Sequence, residues 1–171
     1  NMFKSSVCNL KGQKMRKLIS TAALTVLSVF PCVSVAGGHS GLGGHGTGVT
    51  VDTHVMEGTS GVLVRNVGKD VWIWDNPPEG FPAASAAECT QYIAFATGQQ
   101  QPVGGTVTCR VVDADGDVFL NNGTFQPNGT VLLTNVAATG KWAAYVGAQW
   151  EGKTDIQVDS MTSTYSFTPV N

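Results

Sequence analysis

Beyond residue 48 the apolar residues of this chain repeat at a period of two, in short runs that glycine, proline and asparagine keep interrupting. Val49, Val51, Thr53 and Val55 alternate with Thr50, Asp52, His54 and Met56. That alternation places one face of a strand inward and the other toward water. Further strands are expected at Gly61–Asn66, Asp70–Trp74, Thr90–Ala96, Thr106–Val112, Asp117–Leu120, Thr130–Val136, Lys141–Trp150, Asp155–Met161 and Thr164–Thr168. The breaks fall at Asn76–Gly80, Gly98–Gly105, Asn121-Asn122-Gly123 and Pro127-Asn128-Gly129. Asn-Gly pairs accept positive φ and so favour tight reverse turns. Only Ala83–Glu88 has a helical composition, and it is long enough for a turn or two. Many short strands at this spacing predict an all-β fold, a single antiparallel barrel first and a sandwich second.

Ahead of this region, Met15-Arg16-Lys17 supplies a basic start and Leu18–Val29 an apolar run too short to span a bilayer comfortably. Pro31 stops a helix there, and Ser34-Val35-Ala36 puts small residues where a signal peptidase reads. Residues 1–36 are therefore expected to be an extension and a cleavable export signal, residues 37–48 a flexible glycine- and histidine-rich leader, and 49–171 the barrel. The product is expected to be secreted or periplasmic, with no membrane span once the signal is removed.

Cleavage after Ala36 leaves five basic residues, Arg65, Lys69, Arg110, Lys141 and Lys153, against all twelve acidic ones, a formal charge of −7 where the whole chain has −2. Scattered single cations argue against nucleic acid as a partner, since phosphate binding needs clustered Lys and Arg. Of the four cysteines, Cys89 and Cys109 remain. In an oxidising compartment such a pair is most simply one disulfide, contributing about 3 kcal/mol. In a hairpin centred on Gly98–Gly105, however, Cys89 would face a position near 114, so the bridge predicts a bulge, a shifted register or a non-hairpin arrangement.

Two patterns suggest metal chemistry. A mature terminus Gly37-Gly38-His39 would offer an α-amine, two amides and an imidazole as a square-planar set for Cu(II) or Ni(II); the alternative is a leader with an incidental histidine. His45 and His54 are further candidate ligands. Asp113, Asp115 and Asp117, spaced around Gly116, resemble the opening of a Ca²⁺ loop, but Thr124 stands where the closing bidentate Glu of an EF-hand belongs. The plainer reading is an acidic turn. No other cofactor is indicated.

No GxSxG or HExxH pattern occurs, and no acidic residue is marked out for glycoside chemistry. Trp72, Trp74, Trp142 and Tyr145 could line a ligand pocket, although packing in the core is the commoner use of such residues. Trp142 and Trp150 are expected on one face of a single strand.

The run Asn135–Gly147 (NVAATGKWAAYVG) resembles the GGTGKYAGARG segment of dirigent and allene oxide cyclase-like barrels, and Cys109–Asp117 (CRVVDADGD) is similar to small secreted bacterial proteins of that type. Ala137-Ala138 replaces the paired glycines and Ala144-Tyr145-Val146 the tighter turn, so no catalytic residue carries over. The resemblance implies an eight-stranded calycin-like barrel. The reading as a whole is an exported, non-catalytic binding or structural module whose partner is a small molecule or a protein. The alternatives are a cyclase- or dirigent-like enzyme acting on an apolar small molecule and a copper- or nickel-binding terminus.

Overall fold

In the computed structural model, which describes residues 42–170, eight antiparallel strands close into one barrel in chain order. They are β1 (Gly44–Gly58), β2 (Gly61–Trp74), β3 (Ala84–Ala96), β4 (Gly104–Asp113), β5 (Val118–Phe125), β6 (Val131–Ala138), β7 (Gln149–Gln157) and β8 (Thr162–Pro169). A 3₁₀ turn at Gly140–Tyr145 is the only helical element among the described residues. Every strand pairs with its sequence neighbour, and β1 closes the ring on β8 through Gly44–Val49. Eight strands give an interior just wide enough to be filled by side chains or to hold one small ligand. Here each outcome takes one half of the barrel.

One half is packed solid. Trp72, Trp74, Phe119, Trp142, Trp150 and Phe167 meet with ring centroids between 4.4 and 6.4 Å apart in tilted and edge-on geometries. Such contacts are worth about 0.5–1.5 kcal/mol each beyond burial. Trp142 reaches this core from the 3₁₀ turn, so Lys141–Trp150 is not the single strand expected; the turn folds over the barrel end instead.

Strand β1 begins inside the segment expected to be a leader. Gly44, Gly46 and Gly48 point inward, where an added Cβ would fall 2.6 Å from the Phe167 ring, 2.7 Å from the Tyr165 ring and 2.6 Å from Asp70 Oδ1. These glycines make room for large side chains from β2 and β8, and ladder hydrogen bonding on both sides offsets the entropy of ordering them.

Three other expectations change. Ala83–Glu88 does not form a helical turn: Ala84–Glu88 opens β3, whose small inward residues Ser85 and Ala87 lie beside the bulky Trp72 and Trp74. Asn121-Asn122-Gly123 is not a turn but the middle of β5, and an added Cβ at Gly123 would strike Leu133, at 2.7 Å, and a neighbouring carbonyl. Asp155–Met161 is not a strand of its own: Asp155–Gln157 is the end of β7, and the rest is a turn leading to β8.

The β3–β4 hairpin starts earlier than expected, Gly104 pairing with Ala94, so Cys89 lies directly opposite Cys109 without a bulge. Their Cα atoms are 4.1 Å apart and the disulfide joins them inside the barrel. No helix among the described residues is long and apolar enough to cross a membrane. The outward face mixes exposed polar residues such as Lys69, Glu88, Arg110 and Glu151 with exposed apolar ones such as Val51, Val55, Val71 and Ile73.

Candidate functional site

Because the aromatic core fills only the half of the barrel nearest Leu42, the other half is a cavity of about 500 Å³. That is within the range of small-molecule sites. Its mouth lies among the hairpin turns, with Gly129, Ser160 and Met161 at the rim. Trp72 and the Cys89–Cys109 bridge form part of the lining, with Val107, Val131, Leu133 and Ile93 as apolar wall and Gln91, Asn66 and Thr154 as polar wall.

Asp70 of β2 and Tyr165 of β8 stand at the inner part of this cavity. Strand pairing brings both to β1, where Gly48 faces Asp70 on one side and Gly46 faces Tyr165 on the other. The Tyr165 hydroxyl donates to Asp70 Oδ2 at 2.7 Å, and Cys89 Sγ lies 3.7 Å from the same oxygen. Burial pushes the Asp70 carboxyl above its ordinary value, partly opposed by the Tyr165 hydroxyl and the Trp72 indole. Tyr165 is raised too, by burial and then by the neighbouring carboxylate, so the phenol stays protonated. Trp72 Nε1 makes no hydrogen bond of standard geometry, yet its N–H lies close enough to favour the charged form of both groups.

Deeper in the barrel, Asn121 and Asn135 face each other across β5 and β6 and are fully buried. None of their four side-chain polar atoms has a protein partner.

Asp113, Asp115 and Asp117 do converge, as the Ca²⁺ reading required, but on a side chain. Lys141 Nζ donates to one carboxylate oxygen of each, at 2.8, 2.9 and 3.1 Å. The position a cation would take is filled by an ammonium, and among the described residues no group of three or more His, Cys, Asp or Glu is arranged to hold a metal. Asp113 is also tied to Trp142 Nε1 at 2.9 Å and to the backbone N–H groups of Asp115 and Asp117, so the loop fastens the 3₁₀ turn over the barrel end. Its burial alone would raise the carboxyl; Lys141, Trp142 and these amides more than offset that and hold it below its ordinary value.

Gly37, Gly38 and His39 lie outside the described residues. His45 is exposed and lies 3.2 Å from Asp75, while His54 is exposed on β1. Of the four aromatics expected to line a pocket, only Trp72 reaches the cavity; Trp74 and Trp142 belong to the packed core and Tyr145 stacks edge-on to Phe81. Asp70 and Tyr165 carried no motif. The signal for Asp70 was a carboxylate on the inward parity of a strand also bearing Trp72 and Trp74, a position that alternation alone can identify.

Comparison with protein-family models, with curated proteins and with solved structures finds no match. The site's chemistry is therefore read from its own geometry.

Proposed function

We propose that this chain is an exported small-molecule-binding barrel whose ligand occupies the open half of the interior and ends against Asp70 and Tyr165. One observation carries the reading: the barrel is packed with aromatics at one end and open at the other, and the open part has polar groups at its inner wall. A barrel serving only as a structural module has no need of that asymmetry. The buried Cys89–Cys109 bridge supports action in an oxidising, extracytoplasmic compartment, secreted or periplasmic.

Native mass spectrometry of protein isolated from its host, beside the Gly152→Phe variant, tests the reading. Gly152 lines the cavity and an added Cβ there meets nothing closer than 3.7 Å, so Phe fills ligand space without disturbing the wall. The expected result is a small-molecule adduct on the wild type and none on the variant. An adduct of equal occupancy on both proteins sinks the reading.

A second reading, an enzyme of the allene oxide cyclase or dirigent kind, is supported by the Asp70–Tyr165 pair. A carboxyl raised by burial beside a protonated phenol is suited to move a proton on a bound apolar substrate. Turnover that disappears in Asp70→Asn while binding persists would favour it. Copper or nickel binding at Gly37-Gly38-His39 is a separate proposal: equal copper affinity in mature wild type and His39→Ala removes it.

A further inference from the structure

Asp70 is the one acidic side chain that lines the cavity, and its two oxygens are in different situations. Oδ2 accepts from Tyr165 and packs near the disulfide. Oδ1 lies over Gly48 and Gly68, 2.6 and 3.2 Å from where their Cβ atoms would be, and no hydrogen bond reaches it among the described residues. Oδ1 thus takes up the space that side chains at these two glycines would fill, and of the described groups only the Trp72 indole lies near enough to favour its charge.

A carboxylate drawn partly out of water needs more compensation than a neutral phenol and indole supply. No Lys, Arg or His pairs with Asp70 among the described residues: Lys153, the one basic residue in the cavity lining, forms no ion pair with it, and Arg65 is taken by Asp52 on the outer wall. The missing group is a cation, and the neighbouring surfaces suit one. Trp72 and Tyr165 line the cavity near the carboxylate, and aromatic residues suit a desolvated ammonium as well as an apolar body. An anionic ligand would meet Asp70 with like charge, and a neutral alcohol would leave the carboxylate's charge uncompensated.

Resting on the cavity reading above, we propose that the ligand is an organic amine whose ammonium seats on Asp70 Oδ1 between Trp72 and Tyr165, its apolar body lying along Val107, Val131 and Leu133. Three probes of one shape test this on the full, oxidised chain by isothermal titration at neutral pH: 2-phenylethylamine, 2-phenylethanol and phenylacetate. The amine is expected to bind at least tenfold more tightly than the alcohol, and the carboxylate most weakly. In Asp70→Asn the amine should lose at least tenfold while the alcohol changes less than twofold. Alcohol binding as tight as the amine's, abolished in Gly152→Phe, overturns the amine assignment and leaves the cavity reading standing. Unchanged amine affinity in Asp70→Asn also overturns it, as does binding of none of the three. The wild-type ranking is decisive whether or not the Asp70 variant folds.

Discussion

Asp70 and Asp113 are inward-facing carboxyls whose ionisation is shifted in opposite directions, and the difference lies in what each is given as a partner. Asp113 receives an ammonium, an indole N–H and two backbone amides, so its ionised form is favoured on folding. It contributes stability that is present above the unfolded carboxyl value and lost as pH falls through the lower folded one. Asp70 has only a phenol and an indole beside it, and burial raises it despite them; its ionisation opposes folding as pH climbs from the unfolded value through the higher folded one. Wild-type stability relative to Asp70→Asn should therefore fall as pH rises from the unfolded carboxyl value through the higher folded one, read as the difference in urea midpoints. A constant difference would mean the carboxyl is not held up by burial. At Asn121 and Asn135, fully buried amides without protein partners each carry an unmet desolvation cost of about 1–3 kcal/mol. Replacing both by Leu, of similar size, is expected to leave stability unchanged or raise it by about 1–2 kcal/mol. A loss of more than about 2 kcal/mol on denaturant unfolding would show that the amides are engaged.

At the scale of elements, strands were legible where one face is packed and the other wet, because alternation is then enforced by burial; β1 departs from this, since its apolar Val49, Val51 and Val55 are exposed and its buried positions are Gly44, Gly46 and Gly48. Turns with no interior partner were legible too: Asn128-Gly129 closes β5 to β6 with Gly129 at φ +84°. Legibility failed where a residue's type answers to a neighbour across the barrel. Gly44, Gly46 and Gly48 read as flexibility but exist to admit Phe167, Tyr165 and Asp70, and nothing local shows which strand will bring those side chains. Within Ala84–Glu88 the inward Ser85 and Ala87 are small because they lie beside bulky side chains of β2, a reason the local sequence does not show. The same logic hid the ammonium in the acidic loop, since Lys141 is far from Asp113 in sequence. The 3₁₀ turn depends on what it anchors. Trp142→Ala removes a fully buried ring from the packed end and should cost about 3–5 kcal/mol in thermal or urea unfolding. Lys141→Met should weaken the loop and shift unfolding in the same direction, since it leaves the buried Asp113 carboxylate without its cation. Stability unaltered in both would contradict the anchoring role.

For the whole molecule, the division of the barrel into a filled half and an open half is the property that sequence periodicity cannot supply, because inward positions look alike until their side chains are set at the same height. The disulfide lies at the boundary, joining β3 to β4 beneath the cavity. Reduction should lower stability by about 3 kcal/mol, and it should loosen the cavity wall beside Asp70 before the aromatic end. Hydrogen exchange of the reduced protein checks this: faster exchange near Cys89 and Cys109 than near Phe119 and Phe167 is expected. Whether a ligand sits in the open half is read by nitrogen-15 NMR of the oxidised protein titrated with a mixture of small aromatic amines, alcohols and acids. Amide shifts concentrated at Gly48, Gly68, Asp70, Gln91, Val131 and Gly152 are expected; shifts confined to the outer wall or to the aromatic end, or none at all, would rule the ligand out.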